Sequence, residues 1–482
     1  MTKNLKILDK EFLSEVFSEL PSKCLLNKGV TGCGGTYCEL HSSRNSIILA
    51  PTIELVKNKM EDSFFGLYGK VSNRSLLAYC QSNIPYKKII ATYDALPRIL
   101  EIVPDYQKYF LLVDEYHVLF NQYTFRNESI VNILKHFREF ENYCFMSATP
   151  LDENIILSEL SDLDIINLEW ENAVKVNIDV KDVYFTTKEL LKTIVPDDNC
   201  NYHIFLNSVK TIKDIVSYLD DDYKIVCSIG AKNGYPNLNY GTTLDKPKKY
   251  NFYTSCCFEG TDIYDPIGKT VILCDTNIAT TILDISTIVR QICGRLRDSI
   301  YKNQITMILN TGKHRYASKS PQQFEEDVAQ NIKDGKTVEQ QFIDAEDKRL
   351  ELRKYSPEAY NSFYVCLYDN KLYYDDNLRK MDEYNYKLVH EIYKSSLTVL
   401  HNVKTCNMNA SVSKVEQGLP WIRECIKKHE YTYQELEEMF TPIFEEHQMV
   451  WNKHKSIPLY FPNHEKLRRT INGKKQTVFR FV

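Results

Sequence analysis

Phe110-Leu-Leu-Val-Asp-Glu-Tyr-His117 and, about thirty residues further on, Tyr143-Cys-Phe-Met-Ser-Ala-Thr149 are the stretches whose reading decides the fold. Each is a short unbroken apolar run ending in polar side chains. Such runs suit strands buried on both faces of a parallel sheet, whose carboxyl ends carry the chemistry in open α/β folds. The same texture recurs at Cys24-Leu-Leu26, Ser46-Ile-Ile-Leu-Ala50 and Lys88-Ile-Ile-Ala-Thr92, with helical patterns between. This predicts a doubly wound first lobe over 1–150. It is expected to open on an amphipathic helix from Asp9 to Leu20, with Asp9 as N-cap and Pro21 at its end. A second series predicts another such lobe over 176–312, its strands at His203 to Leu206, Lys224 to Cys227, Tyr250 to Tyr253, Val271 to Cys274 and Gln304 to Leu309. The acidic stretch 151–175 reads as the connection. Residues 313–482 read as a mainly helical accessory region with hairpins. It holds a charged helical stretch, Gln322 to Lys354, and a tyrosine-rich run, Phe363 to Tyr374, that turns at Asp369-Asn370.

At 482 residues and 43% hydrophobic side chains, the chain can bury two or three cores. No apolar run nears the roughly 18 residues that cross a bilayer, and Met1-Thr-Lys-Asn-Leu-Lys6 leads into charge. Fourteen scattered cysteines without a C-x-x-C pair point to reduced thiols and a cytoplasmic setting, with no membrane partner expected. A net charge of -4 excludes a polybasic coat but allows a local basic groove.

Gly29-Val-Thr-Gly-Cys-Gly-Gly-Thr36 matches the phosphate loop G-x-x-x-x-G-K-[ST] except that Gly35 stands at the lysine position. Gly29, Gly32, Gly34 and Gly35 supply the turn, Thr31 and Cys33 lie within it, and the Thr36 hydroxyl can ligate Mg²⁺. Lys28, just before the loop, is a possible substitute cation. Asp114-Glu115 at a strand end suits one carboxylate for Mg²⁺ and one to orient an attacking water. In Gln291-Ile-Cys-Gly-Arg-Leu-Arg297, arginine offers a planar, permanently charged fork for a transferring phosphoryl group.

Taken together these blocks resemble the superfamily 2 helicases and translocases of the DEAD/DEAH-box kind, over roughly residues 22–312. The resemblance implies two RecA-like lobes with ATP and Mg²⁺ between them. It implies that Pro51, Thr52 and Thr92 touch a nucleic-acid backbone from the first lobe, and Asn207, Ser208 and Thr254 from the second. Ser147 and Thr149 would couple nucleotide state to strand movement. Gly260 gives close backbone approach, and Asp262 meets the ribose or a neighbouring arginine. Gln291 and Arg295 act on the nucleotide, and Arg297 does so despite sitting one residue early, since position 298 is aspartate. Arg290 reads as a solvated charge.

Basic residues crowd the end of the chain: Lys466, Arg468, Arg469, Lys474, Lys475 and Arg480 lie within Pro462 to Val482, around an Asn472-Gly473 turn with Phe479 and Phe481 nearby. They suit phosphates and bases of a single- or double-stranded nucleic acid. The C-terminal region also offers surface for a protein partner. The leading expectation is an ATP-dependent helicase or translocase. The competing one is a hydrolysis-deficient, motor-derived nucleic-acid-binding or scaffold protein, which Gly35 favours. On sequence alone, Gly35→Lys is expected to tighten ATP binding.

Overall fold

The computed structural model describes the whole chain except residues 124–125, 152–154, 172–174, 196–197, 221, 313, 355, 413–429, 447–450, 452–456, 458–464, 472 and 481–482. It divides into two compact units, Met1–Val412 and Ser413–Val482.

The first unit contains two large parallel sheets. The first comprises β1 (Thr2–Ile7), β2 (Cys24–Asn27), β3 (Ser46–Ala50), β4 (Phe65–Leu67), β5 (Lys88–Thr92), β6 (Phe110–Asp114), β7 (Asn142–Ser147) and β8 (Asp164–Trp170). Their order across the sheet is β1-β8-β2-β7-β6-β3-β5-β4, and every neighbouring pair runs parallel. Alternation along the strands splits the core in two. Leu25, Ile47, Leu49, Ile89, Leu111, Val113 and Phe145 face one layer, and Cys24, Leu26, Ile48, Ile90, Leu112, Cys144 and Met146 face the other.

Two expectations for this lobe change. No helix spans Asp9 to Leu20: Asp9 takes φ 53° and only a 3-10 turn forms at Leu13–Glu15. The cause is β1, which commits the preceding residues to the sheet edge, so the chain reverses at Asp9 and buries Leu13 and Leu20 singly. The stretch read as a connection also carries β8, which pairs with β1 and β2.

The second sheet holds β9 (Asn177–Asp182), β10 (Asn201–Phe205), β11 (Tyr223–Val226), β12 (Tyr250–Tyr253), β13 (Gly268–Cys274) and β14 (Gln304–Leu309). After a hairpin of β15 (Val365–Tyr368) and β16 (Lys371–Tyr374), β17 (Asn409–Val412) completes it. The order is β11-β12-β10-β13-β14-β9-β17, again parallel throughout. The fold is therefore α/β, with two doubly wound, RecA-like lobes and a mainly helical C-terminal region.

That region braces both lobes. A helix at Pro321–Asp344 opens on a Ser320/Gln323 capping box. It ends before the predicted Lys354, with a separate short helix at Lys348–Glu351. The β15–β16 turn places Asp369 and Asn370 at φ 50° and 56°, as a two-residue hairpin of this hand requires. Tyr364, Cys366, Leu378 and Met381 join the first-lobe core, and Tyr123 donates to Asp375 at 2.7 Å. Tyr384 donates to Asp284 of the second lobe at 2.6 Å. The tyrosine-rich hairpin buries Val365, Cys366 and Leu372 and packs Tyr368, Tyr373 and Tyr374 partly against the core.

The second unit is a three-stranded antiparallel sheet in the order β18-β20-β19, formed by β18 (Glu430–Thr432), β19 (Glu465–Ile471) and β20 (Lys474–Arg480), with a helix at Tyr433–Glu446. Glu430 binds both Arg469 and Arg480, and those arginines hold its carboxyl down at about 2. Pro462, Asn472, Phe481 and Val482 lie outside the described residues.

Gly335 marks where the long helix crosses the hairpin, because a Cβ there would run into the Phe363 carbonyl oxygen. Alanine would favour the helix by ~1 kcal/mol, whereas overpacking against backbone costs ~1–3 kcal/mol. Gly335→Ala should therefore lower the denaturant midpoint; a raised midpoint would contradict this packing.

Candidate active site

The glycine loop leaves β2 and enters a helix at Gly35–Leu40. Gly29, Gly32 and Gly34 all take positive φ, 73°, 79° and 78°, a region that favours glycine. At Gly29 a Cβ would also sit 2.5 Å from the Leu168 carbonyl oxygen. Gly34 caps the helix without any side-chain cap bond, so its first turn faces the cleft with backbone alone. Cys33 turns inward and is buried, its carbonyl accepting from Leu13 N–H at 2.7 Å.

Asp114 and Glu115 lie at the end of β6, beside β3 and β7. Thr36 Oγ1 donates to Asp114 Oδ2 at 2.6 Å, which puts a hydroxyl and a carboxylate on one point of the loop. Glu115 takes φ 53°, an uncommon conformation for a non-glycine residue and one that often marks a functional position. Lys28 is only 6% exposed; its Nζ stands 3.6 Å from Asp114 Oδ1 and 3.5 Å from Glu115 Oε1. Burial opposes the Lys28 charge, but the two carboxylates outweigh it and raise its pKa above the ordinary lysine value.

The second lobe closes over this group. Gln291 is fully buried; its Nε2 donates to Glu115 Oε2 at 2.9 Å and to Thr149 Oγ1 at 3.1 Å. Arg295 is pinned by Gln291 O, Gln291 Oε1 and Thr261 O at 2.8, 2.9 and 3.1 Å. Arg297 pairs with Asp262 at 2.7 Å and lies over Gly32, where a Cβ would come 2.8 Å from its Nη1. Asp262 thus meets the neighbouring arginine. Asp298, at the position expected for a second arginine, accepts from Asp265 N–H at 2.6 Å. Arg290 is not a solvated charge: it reaches across to the Gly29 carbonyl at 3.1 Å. Gly260 and Gly294 permit the lobes' close approach, since a Cβ at either would strike Leu55 or Thr31.

A cleft of about 310 Å³ remains, lined by Lys28, Thr31, Gly32, Gly34, Gly35, Thr36, Lys59, Asp114, Glu115, Gly260, Asp262, Arg295 and Arg297, with Leu55 and Tyr264 at its side. Its donor set of hydroxyl, carboxylate and backbone suits hard, oxygen-ligated Mg²⁺ bound largely through water and phosphate. Among the described residues no cluster of three or more His, Cys, Asp or Glu could hold a metal unaided.

His117 adds a link that residue spacing does not reveal. Its Nδ1 meets Ser147 Oγ at 2.8 Å, and its Nε2 meets Glu259 Oε1 of the second lobe at 3.1 Å. Burial opposes the imidazolium, yet Glu259 and then Glu115 raise its pKa above the ordinary value. Glu115 shifts the other way: burial works against its charge, and Lys28, His117 and Arg295 hold the carboxyl below the usual range.

The residues expected to touch nucleic acid lie outside this cleft, at strand ends. Pro51 accepts from Arg126 at 2.6 Å. Thr52 caps the helix Ile53–Asn58, and Ser208 caps Val209–Val216. Asn207 donates to Thr280 O and accepts from Ser255 N–H. Thr92 is buried and makes no cap bond to the turn that follows it. Thr254 is buried and donates to Val226 O at 3.3 Å. Ser147 and Thr149 instead belong to the closed cluster, Thr149 N–H donating to Ser147 Oγ at 3.0 Å.

A Cβ at Gly35 would lie 2.5 Å from Met146 Sδ and 3.4 Å from Lys28 Cδ, so the gain expected of Gly35→Lys requires the end of the Met146 side chain to move aside.

No family model matches the chain and no curated protein does. Among solved structures it is similar to S. cerevisiae Dbp5 bound to RNA and ADP BeF3, with 14% identity over 60% of this chain and 79% of that one and a TM-score of 0.41. It is similar also to a DEAD box protein from Methanococcus jannaschii, at 16% identity over 60% and 82% with a TM-score of 0.29. A third is the E. coli DExH-box NTPase HrpB, at 13% over 62% and 41% with a TM-score of 0.34. The architecture above rests on the two sheets and not on these alignments.

Because the His117 pKa is raised in the folded state, the stabilisation from its charged contact with Glu259 is complete below about pH 6.5, the ordinary value. It is lost as pH rises through the raised value. The melting-temperature difference between wild type and Glu259→Gln should therefore shrink on going from about pH 6 to about pH 9. A difference that grows with pH would contradict the charged pair.

Proposed function

We propose that this chain is an ATP-dependent nucleic-acid motor of helicase or translocase type, with nucleotide held between its two lobes. The observation that carries the reading is the convergence on one cleft of Thr36 with Asp114, then Glu115, and then Arg295 from the other lobe, with the buried Gln291 bonded to both Glu115 and Arg295. Phosphoryl transfer needs positioning and charge stabilisation more than covalent help from protein, and these residues provide both.

In this reading the glycine loop cradles the phosphates, and Thr36 and Asp114 hold Mg²⁺. The ion, when bound, neutralises phosphate charge. Glu115, kept ionised by its neighbours, orients the attacking water. Arg295, its pKa lowered by burial and by Arg297, stays charged at neutral pH and steadies charge on the transferring group. Gln291 binds Glu115 and Arg295 together, so closure of the lobes and assembly of the catalytic set are one event. Thr52, Asn207 and Ser208 mark the strand-end surface across which a single strand of DNA or RNA would run, with Pro51, Thr92 and Thr254 buried at the same strand ends. Ser147 and Thr149 connect that surface to the nucleotide through His117 and Gln291. Gly35 favours a second reading, a motor-derived binding protein without hydrolysis, and phosphate release by purified protein with and without single-stranded RNA or DNA separates the two.

Glu115→Gln should lower polymer-stimulated phosphate release at least ~10²-fold, the usual size of a general-base contribution, with ATP affinity nearly unchanged. Unaltered turnover would remove Glu115 from the role. Arg295→Ala should lower the saturated rate by about 10³-fold. Weaker ATP binding at an unchanged saturated rate would make it a ground-state ligand instead.

The register of β19 with β20 places Lys466, Arg468 and Lys475 on one face of the terminal hairpin, all exposed. If that face meets phosphates, changing the three to glutamine should reduce the slope of log affinity against log salt by about 2. An unchanged slope would show that the hairpin does not contact the polymer.

A further inference from the structure

We propose that Lys28, seven positions before Gly35, supplies the phosphate-contacting ammonium of the loop from the opposite end, a proposal that rests on the nucleotide reading of the cleft. The first observation is steric. The space beside the Gly35 backbone is occupied by Met146 and by the Lys28 stem, whose Cδ lies 3.4 Å from the point a Cβ would take. The Lys28 stem thus packs in contact with the Gly35 position, on the side of the loop where a side chain at 35 would start.

The second observation is how the side chain is anchored. Lys28 N–H donates to Ser147 O at 2.8 Å, and its carbonyl accepts from Val30 N–H at 2.8 Å and from the Trp170 indole at 2.6 Å. The stem therefore starts from a fixed point at the end of β2 and runs into the cleft that Gly34, Thr36 and Arg295 also line. Rigid placement of the first atoms lowers the entropy lost when a flexible ammonium takes a ligand.

The third is the state of the ammonium. Its contacts to Asp114 and Glu115, 3.6 and 3.5 Å, are longer than the ~2.7–3.2 Å of directed N–H···O bonds. Charge attraction holds it between the two carboxylates without short bonds to either. Mg²⁺ on Asp114 and Thr36 would cancel much of the carboxylate field, and a phosphate chain would then be the strongest anion within reach of Nζ. One cation thus serves as counterion to the carboxylates before nucleotide arrives and as phosphate ligand afterwards. Lys59 is the other lysine on the cleft wall, but it caps a short helix and is partly exposed where Lys28 is buried.

The test is titration of ATP, ADP and adenosine, each with Mg²⁺, into wild type, Lys28→Met, Lys59→Met, Glu115→Gln and the double variant Lys28→Met/Glu115→Gln. Lys28→Met should weaken ATP about 10- to 100-fold, the size of one charge-assisted hydrogen bond, weaken ADP less, and leave adenosine unchanged. The same graded loss should appear between Glu115→Gln and the double variant, where removal of one carboxylate relieves the charge that Lys28→Met leaves unpaired. An equal loss for all three ligands would mark Lys28 as structural and overturn the proposal. So would unchanged ATP affinity, or a larger phosphate-dependent loss in Lys59→Met. A wild type that binds no ATP would instead overturn the nucleotide reading, and the proposal with it.

Discussion

Three buried carboxylates, Asp114, Glu115 and Glu259, sit among Lys28, His117 and Arg295, and the rest of the molecule is arranged so that this group is balanced. An unpaired charge at such depth costs several kcal/mol. The pairing crosses between the lobes: His117 of the first meets Glu259 of the second, and Gln291 of the second binds Glu115 and Thr149 of the first. These contacts join the two sheets at the cleft, beside the bracing that the C-terminal helices and hairpin supply. Gly260 and Gly294 are small where Leu55 and Thr31 press against them, which lets those contacts form.

In the proposed function, the same arrangement ties chemistry to movement. The first-lobe carboxylate best placed to orient a water is the one that the second lobe grips through Gln291, and Gln291 also orients Arg295. Opening the lobes would break the Gln291 contacts to Glu115 and Thr149 together and carry Arg295 away with Gln291. Tyr384 on Asp284 and Tyr123 on Asp375 attach the C-terminal helices and hairpin to both lobes, so this region can restrain or transmit that opening.

How much of this the sequence disclosed follows from burial. Strands β3, β5, β12 and β14 have the predicted ends because strands covered on both faces are unbroken apolar runs. β1 and β8 escaped notice because β1 is the edge strand, β8 lies next to it, and both keep polar, exposed residues such as Asn4, Lys6 and Glu169. β9 carries a clear alternation, Ile178 and Val180 buried between partly exposed neighbours, and a period-two reading could have found it. Thr36, Asp114 and Glu115 stood out because each follows an apolar run, and Gln291 and Arg295 because of their spacing around Gly294. Glu259 as partner of His117, and Arg290 as partner of Gly29 O, did not, since they depend on contacts 142 and 261 residues apart in the chain. The missing lysine was plain in sequence; that Lys28 and Met146 pack against its place was not.

Nucleotide and polymer are expected to affect one another through the shared cluster, and such coupling must be reciprocal. The most direct measurement is calorimetric titration of Mg²⁺-ATP into the wild-type chain, alone and saturated with single-stranded RNA or DNA. The account predicts one binding site, with ATP affinity raised when its polymer is bound and polymer affinity raised by the same factor when a slowly hydrolysed ATP analogue is bound. A chain that binds no ATP with or without polymer would contradict it.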